Sequence, residues 1–358
     1  MEVLELYSGI GGMHYALKES GIQFKVVASI DINTAANDVY KHNFPNTINF
    51  NRNIQCLDSG DITKLAINTI LMSPPCQPFT RVGLKKDILD ERTDSLLHII
   101  KIIPHIEMLK YILVENVKGF EVSQARNKLV KCIAESGFNY KEFILSPCQF
   151  GVPNTRHRYY LIAKKKDSPF CFTDSSLMVI PPKELLNSLP SLYFNKNEGF
   201  KQNIVGQSSA ICIKDILEEN VDETDYLVSD KILQKHARIM DIQTPASSKS
   251  CCFTKAYGRY IEGTGSIFCP FSKDTVHNTY LNADNHGDDI EQRVQTLCTL
   301  KLRYFTPREI ARLMCFPENF QFPKTVTNKQ KYRLLGNSIN VYVVSRLLKL
   351  LKDGIPNT

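Results

Sequence analysis

A cysteine on a proline-stiffened turn is the first feature of this sequence that could do chemistry. Ser73-Pro74-Pro75-Cys76-Gln77 follows the apolar run Thr69-Ile70-Leu71-Met72, which predicts a short buried strand. The two prolines end that strand and stiffen the turn, because each fixes its own φ and restricts the residue before it. Cys76 is therefore a candidate nucleophile, since a reactive thiolate needs a charge-stabilising surround and access to solvent. The same stretch is equally consistent with a stiff turn that carries a half-buried thiol.

A glycine-rich turn near the N-terminus is the second candidate site. Ser8-Gly9-Ile10-Gly11-Gly12 lies between a predicted strand and a predicted helix, and Asp31 closes the next strand. A carboxylate at that position can accept hydrogen bonds from both hydroxyls of a ribose. Together the turn and the acid favour an adenosine-containing cofactor. The alternative for Asp31 is a helix cap.

Two further groups carry charge at or between strands. Glu115 ends a very apolar strand, where a carboxylate is costly unless it has a partner or a task. A salt-bridging or capping glutamate is the alternative. Arg156-His157-Arg158 lies between two strands and, taken alone, indicates a solvated basic turn. Cys148 also follows a strand, but it lacks the double proline, and we expect it to be structural.

The first half of the chain alternates predicted strands and helices. The strands are predicted at Val3–Tyr7, Phe24–Ile30, Ile48–Ile54, Ile70–Met72, Tyr111–Val114, Tyr140–Leu145 and Tyr159–Ala163, and the helices at Met13–Glu19, Asn33–Asn43, Leu96–Leu109 with a kink at Pro104, and Ser123–Ser136. This order predicts an α/β fold, with a mainly parallel sheet, helices on both faces and an antiparallel last pair of strands. Gly9, Asp31, Cys76 and Glu115 then share the carboxyl edge of the sheet, where ligands bind in such folds. A cofactor, a nucleophile and a carboxylate are expected in one cleft.

The bulk composition limits the class of protein. The 358 residues are 43% hydrophobic and 23% charged, which is typical of a soluble globular protein. The net charge of +7 leans towards a polyanionic partner. We expect no signal peptide, membrane span or metal site, and we expect reduced cysteines, because the N-terminus lacks a basic region and the eleven cysteines show no zinc-ligand spacing.

The character of the sequence changes after three consecutive lysines, 164–166, where residues 167 to about 250 become polar and irregular. We therefore predict a catalytic domain formed by residues 1–180 and 325–358, with a smaller inserted domain at 181–324. Thr306-Pro307-Arg308-Glu309 predicts a helix start with a capping box. The last helix is predicted at Asn340–Lys352, with one apolar face.

In combination and order, these residues resemble the motifs of the C5-cytosine methyltransferase family, and the resemblance covers nearly the whole chain. The matching elements are the first cofactor motif, Leu6 to Gly12; the ribose acid, Asp31; the nucleophile motif, Ser73 to Gln77; Glu115-Asn116-Val117; Arg156-His157-Arg158; and the closing motif, Leu335-Gly336-Asn337-Ser338-Ile339. The family usually has Gln where this chain has Asn154. For the adenine contact, Ile54-Gln55 and Asp61-Ile62 both fit, and Ile54-Gln55 is preferred because it directly follows the third strand.

The resemblance implies the fold of S-adenosylmethionine-dependent methyltransferases with a target-recognition domain. It implies a cofactor site that includes Ser8, Gly9, Ile10, Gly11, Gly12, Asp31, Ile54, Gln55, Ser73, Asn337 and Ser338. It implies that Cys76 attacks C6 of the target cytosine, that Glu115 assists at N3, that Arg158 holds O2 and that Arg156 supports the loop. Covalent attack would activate C5, which is otherwise a poor nucleophile. The base that removes the C5 proton stays unnamed.

Within the family, Cys252-Phe253-Thr254-Lys255-Ala256-Tyr257-Gly258 and Tyr260-Ile261-Glu262-Gly263-Thr264-Gly265 are similar to the DNA-methyltransferase-2 branch. That similarity implies methylation of cytosine 38 in the anticodon loop of aspartate tRNA, with DNA as a weaker partner. It also leaves Cys252 either near the site or structural. A monomer in the cytoplasm, with the nucleus as a second compartment, is expected.

Candidate phosphate contacts are Lys164, Lys165, Lys166, Lys255 and Arg259, and a solvated basic face is the alternative for them. Three rival functions stay open. A DNA cytosine-5 methyltransferase has the same chemistry, a nicotinamide-dependent oxidoreductase would use the glycine turn and Asp31, and a catalytically silent RNA-binding protein would use neither thiol nor acid.

Overall fold

The computed structural model describes residues 1–75, 93–167, 170, 177–186, 190 and 211–353. Its central feature is a seven-stranded sheet in the order β3-β2-β1-β4-β5-β7-β6. The strands are β1 Glu2–Leu6, β2 Lys25–Asp31, β3 Ile48–Asn51, β4 Thr69–Met72, β5 Tyr111–Val117, β6 Phe138–Leu145 and β7 Arg158–Lys165. The first five strands are parallel to one another, whereas β7 runs antiparallel to both β5 and β6. The predicted α/β fold and the antiparallel last pair are confirmed.

Helices cover both faces of this sheet. The α-helices of the described residues, including α6 to α8, which pack in a separate apolar cluster, are in chain order α1 Gly12–Ser20, α2 Thr34–Asn43, α3 Ser59–Lys64, α4 Asp94–Ile102, α5 Gln124–Glu135, α6 Asp230–His236, α7 Lys273–Asp284, α8 Ile290–Cys298, α9 Pro307–Leu313, α10 Asn328–Gly336 and α11 Val341–Asp353. Successive strand residues face opposite sides, so Val3 joins the core cluster under α1 and α11, while Leu4 joins the one under α4 and α5. The C-terminal helix α11 thus returns to pack against α1.

The strand order reverses between β1 and β4. The chain moves outward from β1 through β2 to β3 and then crosses back to β4 on the other side of β1. At such a switch point two neighbouring loops diverge and leave a crevice at the carboxyl ends of the strands. The glycine turn follows β1, and the Pro-Pro-Cys turn follows β4. The fold therefore brings the glycine turn and Ser73–Pro75 to the same crevice.

A second, smaller sheet lies in the C-terminal half of the chain. It consists of β8 Ile242–Gln243, β9 Ile267–Phe268 and β10 Arg303–Tyr304, in the order β10-β9-β8. A separate apolar cluster accompanies it, which includes Val228, Leu233, Cys269 and Leu297. The region around this sheet therefore has apolar packing of its own.

Local sequence signals set several element ends. Thr306 Oγ1 accepts a hydrogen bond from the backbone N–H of Glu309, whose carboxylate accepts one from the backbone N–H of Thr306, so the predicted capping box starts α9. The prediction of a helix kinked at Pro104 was wrong, because α4 ends at Ile102 and a short 3₁₀ turn, Ile103–His105, contains the proline. A proline has no N–H to continue the α-helical ladder. None of the helices in the described ranges combines the length and apolar character needed to cross a membrane.

Candidate active site

The glycine turn and Asp31 are in direct contact. The backbone N–H of Gly9 donates to Asp31 Oδ2 at 2.8 Å, and that of Asn33 donates to Oδ1 at 2.8 Å. Each carboxylate oxygen keeps lone pairs for a further donor, such as a ribose hydroxyl. Gly9 has φ +54°, and a side chain at that position would extend into open space. Burial raises the pKa of Asp31, against the effect of the backbone N–H groups.

The same turn keeps an unpaired polar atom. Ser8 is 5% exposed, and its Oγ has no hydrogen-bond partner among the described residues. A buried hydroxyl without a partner is costly unless a ligand supplies one. The Asp31 carboxylate, the open space above Gly9 and the unpaired Ser8 hydroxyl therefore fit the adenosine cofactor expected from the sequence.

The closing motif packs directly on the glycine turn. A Cβ built on Gly12 would come within 2.6 Å of the Ile339 side chain and 3.2 Å of Ser338 Oγ. The turn and the motif are 326 residues apart in the chain, yet α10 and α11 bring the motif back to the carboxyl edge. Asn337 ends α10 and is exposed there. Ser338 therefore lies beside the glycine turn, with the exposed Asn337 next to it in the chain, and contact of either residue with a cofactor stays a prediction.

Glu115 and Arg158 form an ion pair on neighbouring strands. In the antiparallel register Glu115 lies opposite Tyr160 and Val117 opposite Arg158, so Glu115 and Arg158 are diagonal neighbours on one face. Arg158 Nε is 3.5 Å from Glu115 Oε1. Glu115 is 7% exposed, and burial raises the pKa of its carboxyl group, against the opposing charges of Arg158 and Arg156.

The β5 end is also tied to the turn after β4. Asn116 Nδ2 donates to the carbonyl of Pro74 at 3.4 Å. A hydrogen bond from the Ser73 side chain to Glu115 opposes the rise that burial causes in the pKa of Glu115. Ser73, predicted as a cofactor contact, therefore contacts the buried acid. Cys76 lies outside the described residues, one residue beyond Pro75. The described part of the turn, Ser73 and Pro74, therefore contacts Glu115 and Asn116.

Arg156 connects three segments that are distant in the sequence. Its guanidinium donates to the carbonyls of Phe253 at 2.9 Å and Gly336 at 3.0 Å, and also to that of Ser338. The side chain is 2% exposed. Among described residues its contacts are with the closing motif and the 252–253 segment, so Arg156 holds the walls of the crevice together. Nearby, Asn154, which stands where the family usually has Gln, donates to Ser250 Oγ at 3.1 Å.

Cys252 lies closer to the site than the sequence could establish. Its Sγ is 3.4 Å from Arg156 Nη1 and 3.8 Å from Arg158 Nη2. Burial disfavours the thiolate, but the two arginines outweigh it, and the pKa of the thiol lies below its ordinary value. The signal in the sequence was the Cys-Phe-Thr segment itself, but no local pattern indicated that it would fold back onto the paired arginines.

Other predicted residues lie at the margins of the crevice or away from it. Ile54 is buried in the core beside β3, while Gln55 is exposed in a 3₁₀ turn. Asp61, the alternative adenine contact, forms an ion pair with Arg52 at 3.0 Å. The prediction that Lys164 contacts phosphate was wrong, because the side chain is 3% exposed. Lys165 donates to the carbonyl of Ser136 at 2.9 Å, and the antiparallel β7 carries both lysines to the edge opposite Arg158.

Comparison with known proteins agrees with this geometry. Residues 1–353 match the family described as C-5 cytosine-specific DNA methylase. A tRNA (cytosine(38)-C(5))-methyltransferase of Spodoptera frugiperda is 47% identical over 350 residues, covering 98% of this chain and 98% of the relative. The Homo sapiens protein of the same name is 44% identical over 390 residues, covering 99% of each. A crystal structure of a Spodoptera frugiperda DNMT2 mutant has a TM-score of 0.84 at 45% identity, covering 98% of this chain and 99% of that one.

The strand order and the site at its carboxyl edge define a methyltransferase with the fold of the S-adenosylmethionine-dependent enzymes. The chain belongs to the C-5 cytosine-specific DNA methylase family. Membership in this family implies S-adenosylmethionine as the methyl donor.

Proposed function

We propose that this protein transfers a methyl group from S-adenosylmethionine to C5 of cytosine 38 in a tRNA anticodon loop, with aspartate tRNA as the substrate. The substrate assignment rests on the similarity over the full chain to relatives named tRNA (cytosine(38)-C(5))-methyltransferase, at 47% and 44% identity. A single-stranded loop suits the reaction, because a base there leaves its stack at little cost.

The cofactor would occupy the crevice between the glycine turn and Asp31. Asp31 accepts from the ribose hydroxyls, Gly9 leaves room for the backbone to approach the ligand, and the Ser8 hydroxyl offers a further polar contact. Asn337 and Ser338 border the same space from the closing motif. When bound, S-adenosylmethionine supplies an electrophilic methyl group.

The chain's own groups would prepare the cytosine for that transfer. Cys76 attacks C6 as the thiolate, forms a C–S bond and moves an electron pair towards N3 and C5. Glu115 holds a proton at N3, which a buried carboxyl with a raised pKa can do. Arg158, which is paired with Glu115, binds O2. Arg156 is a positioning residue, because its guanidinium donates to the carbonyls of Gly336 and Ser338 and so holds the closing motif in place.

The smaller sheet and its apolar cluster support a second part of the proposal. We assign target recognition to residues 181–324, which include the segment that reaches Arg156 through Phe253. Electrostatic contact with tRNA would make binding weaken steeply with salt. We further propose that the enzyme acts as a monomer, because each element named for the reaction lies in one chain.

Methyl transfer from labelled S-adenosylmethionine to a tRNA transcript tests the function. The wild-type protein should label aspartate tRNA, and replacing its cytosine 38 with uridine should abolish the label. Cys76→Ala should lose transfer while keeping cofactor affinity, as measured by calorimetry. A tRNA carrying 5-fluorocytosine at position 38 should trap the wild-type chain covalently, because the fluorine blocks the final elimination.

Duplex DNA in the same assay distinguishes the rival substrate. Preferential labelling of DNA over tRNA would assign the protein to DNA methylation. Full activity of Cys76→Ala would remove the thiol from the reaction. Asp31→Ala should weaken cofactor binding, and an unchanged affinity would overturn the ribose assignment.

A further inference from the structure

An exposed aromatic ring lies on the turn between Thr254 and Thr264. The Tyr260 side chain is 55% exposed, and the guanidinium of Arg259 lies 5.1 Å from the centre of its ring. A large aromatic ring held against a cation and open to solvent is a surface on which a flat ring can stack. The ring has no role in the chemistry proposed above.

Backbone and side-chain hydrogen bonds hold this turn in one conformation. Thr254 N donates to the carbonyl of Thr264 at 2.8 Å, and Thr264 Oγ1 donates to the carbonyl of Tyr260 at 2.6 Å. The N–H of Tyr260 in turn donates to the carbonyl of Ala256 at 3.1 Å. The backbone of Tyr260 is therefore held at both its N–H and its carbonyl. Stacking on the ring then costs little backbone entropy.

A buried tyrosine anchors the turn to the body of the protein. The Tyr257 hydroxyl donates to the carbonyl of Ser266 at 2.7 Å and accepts from Phe305 N at 2.8 Å. Tyr257 is 4% exposed, in contrast to Tyr260 three residues later. Two tyrosines on one short turn thus have opposite environments, and only Tyr257 contributes to the core.

The turn begins at the active site. Phe253, directly before it, accepts a hydrogen bond from Arg156, and a Cβ built on Gly336 would come within 2.2 Å of Lys255 N. Cys252, one residue earlier, contacts both Arg156 and Arg158. The Tyr260 ring is therefore on a hydrogen-bonded turn whose N-terminal end contacts Arg156 and Arg158, the second of which is paired with Glu115.

The charges around the ring favour nucleic acid over an apolar partner. Lys255 and Arg259 are exposed on the turn, and Glu262 is the exposed acid there. A cation beside an exposed ring can contact a phosphate while the ring stacks on the attached base.

We propose that Tyr260 stacks on the base of a nucleotide that flanks the target cytosine in the RNA loop, and that Arg259 contacts the neighbouring phosphate. This inference rests on the proposed function, because it deepens how the same site selects its RNA. Tyr260 is thus a substrate-positioning residue. The ring holds an unstacked neighbour in place while the target base enters the pocket.

Kinetics of full-length variants on the tRNA transcript test the stacking contact. Tyr260→Ala should raise KM for tRNA about 5- to 150-fold, the range of a lost base–aromatic stack, with kcat within about 2-fold of wild type. Tyr260→Phe keeps the ring and should retain the wild-type KM. Phe271→Ala removes another exposed aromatic of the C-terminal half, 38% exposed and outside the turn, and should leave KM unchanged.

Salt dependence separates the two members of the pair. Arg259→Ala should reduce the slope of log affinity against log salt by about one, whereas Tyr260→Ala should leave that slope unchanged, because the ring carries no charge. A loss of affinity in Tyr260→Ala that also flattens the salt slope would overturn stacking as its cause.

Photocrosslinking locates the nucleotide. With 5-iodouridine placed singly at positions within three nucleotides of the target cytosine, irradiation should attach one position to the peptide that contains Tyr260. Crosslinks confined to other peptides, or an unchanged KM in Tyr260→Ala, would overturn the proposal while leaving methyl transfer to tRNA intact. A wild-type protein that labels no tRNA would overturn the proposed function and this inference together.

Discussion

At the scale of single residues, the Glu115 carboxyl group is the most constrained part of the site. It is buried on an apolar strand, and it forms an ion pair with Arg158, whose Nε lies 3.5 Å from its Oε1. Removing one member of a buried pair leaves an uncompensated charge, which typically costs about 3–5 kcal/mol. Desolvation acts in the other direction: it penalises the charged carboxylate and raises the pKa of Glu115, against the opposing charges of Arg158 and Arg156. The same burial favours the protonated form that our proposal places at N3 of the cytosine.

Replacing Glu115 by Gln should therefore separate chemistry from folding. Glutamine has the same shape but exchanges no proton, so the single-turnover rate of methyl transfer should fall about 100- to 10,000-fold. Because the active form carries a proton, the wild-type rate should fall as the pH rises through the raised pKa, and Glu115→Gln should lose that limb. Rapid-quench assays from pH 5 to 9 measure both effects. Cofactor affinity is the control, and a near-wild-type rate would contradict the role.

Two adjacent cysteines give a second residue-scale prediction. Burial and the Asp241 carboxylate raise the pKa of Cys251 to about 11, whereas the two arginines hold the pKa of Cys252 below its ordinary value. Alkylation of Cys252 by iodoacetamide should therefore have its pH midpoint well below that of its neighbour, although Cys251 is the more exposed.

Tandem mass spectrometry of the peptide that contains both thiols measures these midpoints directly. Arg158→Gln is the matched variant, because it removes one of the two charges and should raise the midpoint of Cys252 alone. Equal midpoints for the two cysteines would disprove the influence of the arginines.

Much of the site could be predicted from residue types at strand ends. Gly9, Asp31 and Glu115 follow strands that the apolar pattern identifies, and parallel strands share one carboxyl edge. The contacts of Arg156 and Cys252 could not be predicted in this way. They depend on segments near residues 252 and 336 that meet only after the chain has folded, and no local period carries that information.

At the scale of elements, the junction between the closing motif and the 254–255 backbone has no spare room. A Cβ on Gly336 would come within 2.2 Å of Lys255 N and 2.2 Å of the Thr254 carbonyl carbon. Both are backbone atoms, which cannot rotate away as a side chain does. The glycine is therefore required for α10 to approach the backbone of Thr254 and Lys255 this closely.

Gly336→Ala should push these two elements apart. We expect a loss of about 1–3 kcal/mol in the free energy of unfolding, as for an overpacked core, and a lower rate of methyl transfer. Gly60→Ala is the matched control, because its nearest neighbour is the Asp58 side chain at 3.2 Å and alanine favours the helix. Urea denaturation compares the two variants. Equal stability of Gly336→Ala and wild type would mean that the backbone at this junction moves freely.

Element order was more predictable than element length. Apolar runs and turn residues identify β1, β2 and β4 to within a residue or two, and the helix-capping residues identify α5 and α9. The segment between residue 167 and α9 carries few signals of either kind. Its small sheet has strands of two residues each, which are too short for any alternation to appear in the sequence.

At the scale of the whole molecule, a buried carboxyl group beneath the glycine turn links folding to pH. Glu5 is fully buried on β1, Tyr40 donates to its Oε2 at 2.9 Å, and the Tyr40 hydroxyl is 3.0 Å from His14 Nδ1. Burial raises the pKa of Glu5 to about 8, against the hydrogen bonds from the Tyr40 hydroxyl and the His14 backbone N–H. Burial also lowers the pKa of His14 to about 3, so the ring stays neutral.

The folded protein therefore keeps the Glu5 proton over a range in which the unfolded chain has released it. Below pH 4.5, the ordinary pKa of the group, both states are protonated and the full stability is present. From there to about pH 8 the folded state binds more protons than the unfolded state, so stability falls as the pH rises, by about 1.4 kcal/mol per unit from this group. Above about pH 8 the contribution is fully lost.

Glu5→Gln should remove this dependence, because an amide keeps the shape and can still accept from Tyr40. Urea denaturation should give the variant little advantage at pH 5 and a clear gain in the free energy of unfolding at pH 8. Glu2→Gln, on the same strand but only half-buried, is the control and should follow wild type across the range. Parallel curves for Glu5→Gln and wild type would mean that Glu5 is ionised in the folded protein, with its charge compensated inside the core.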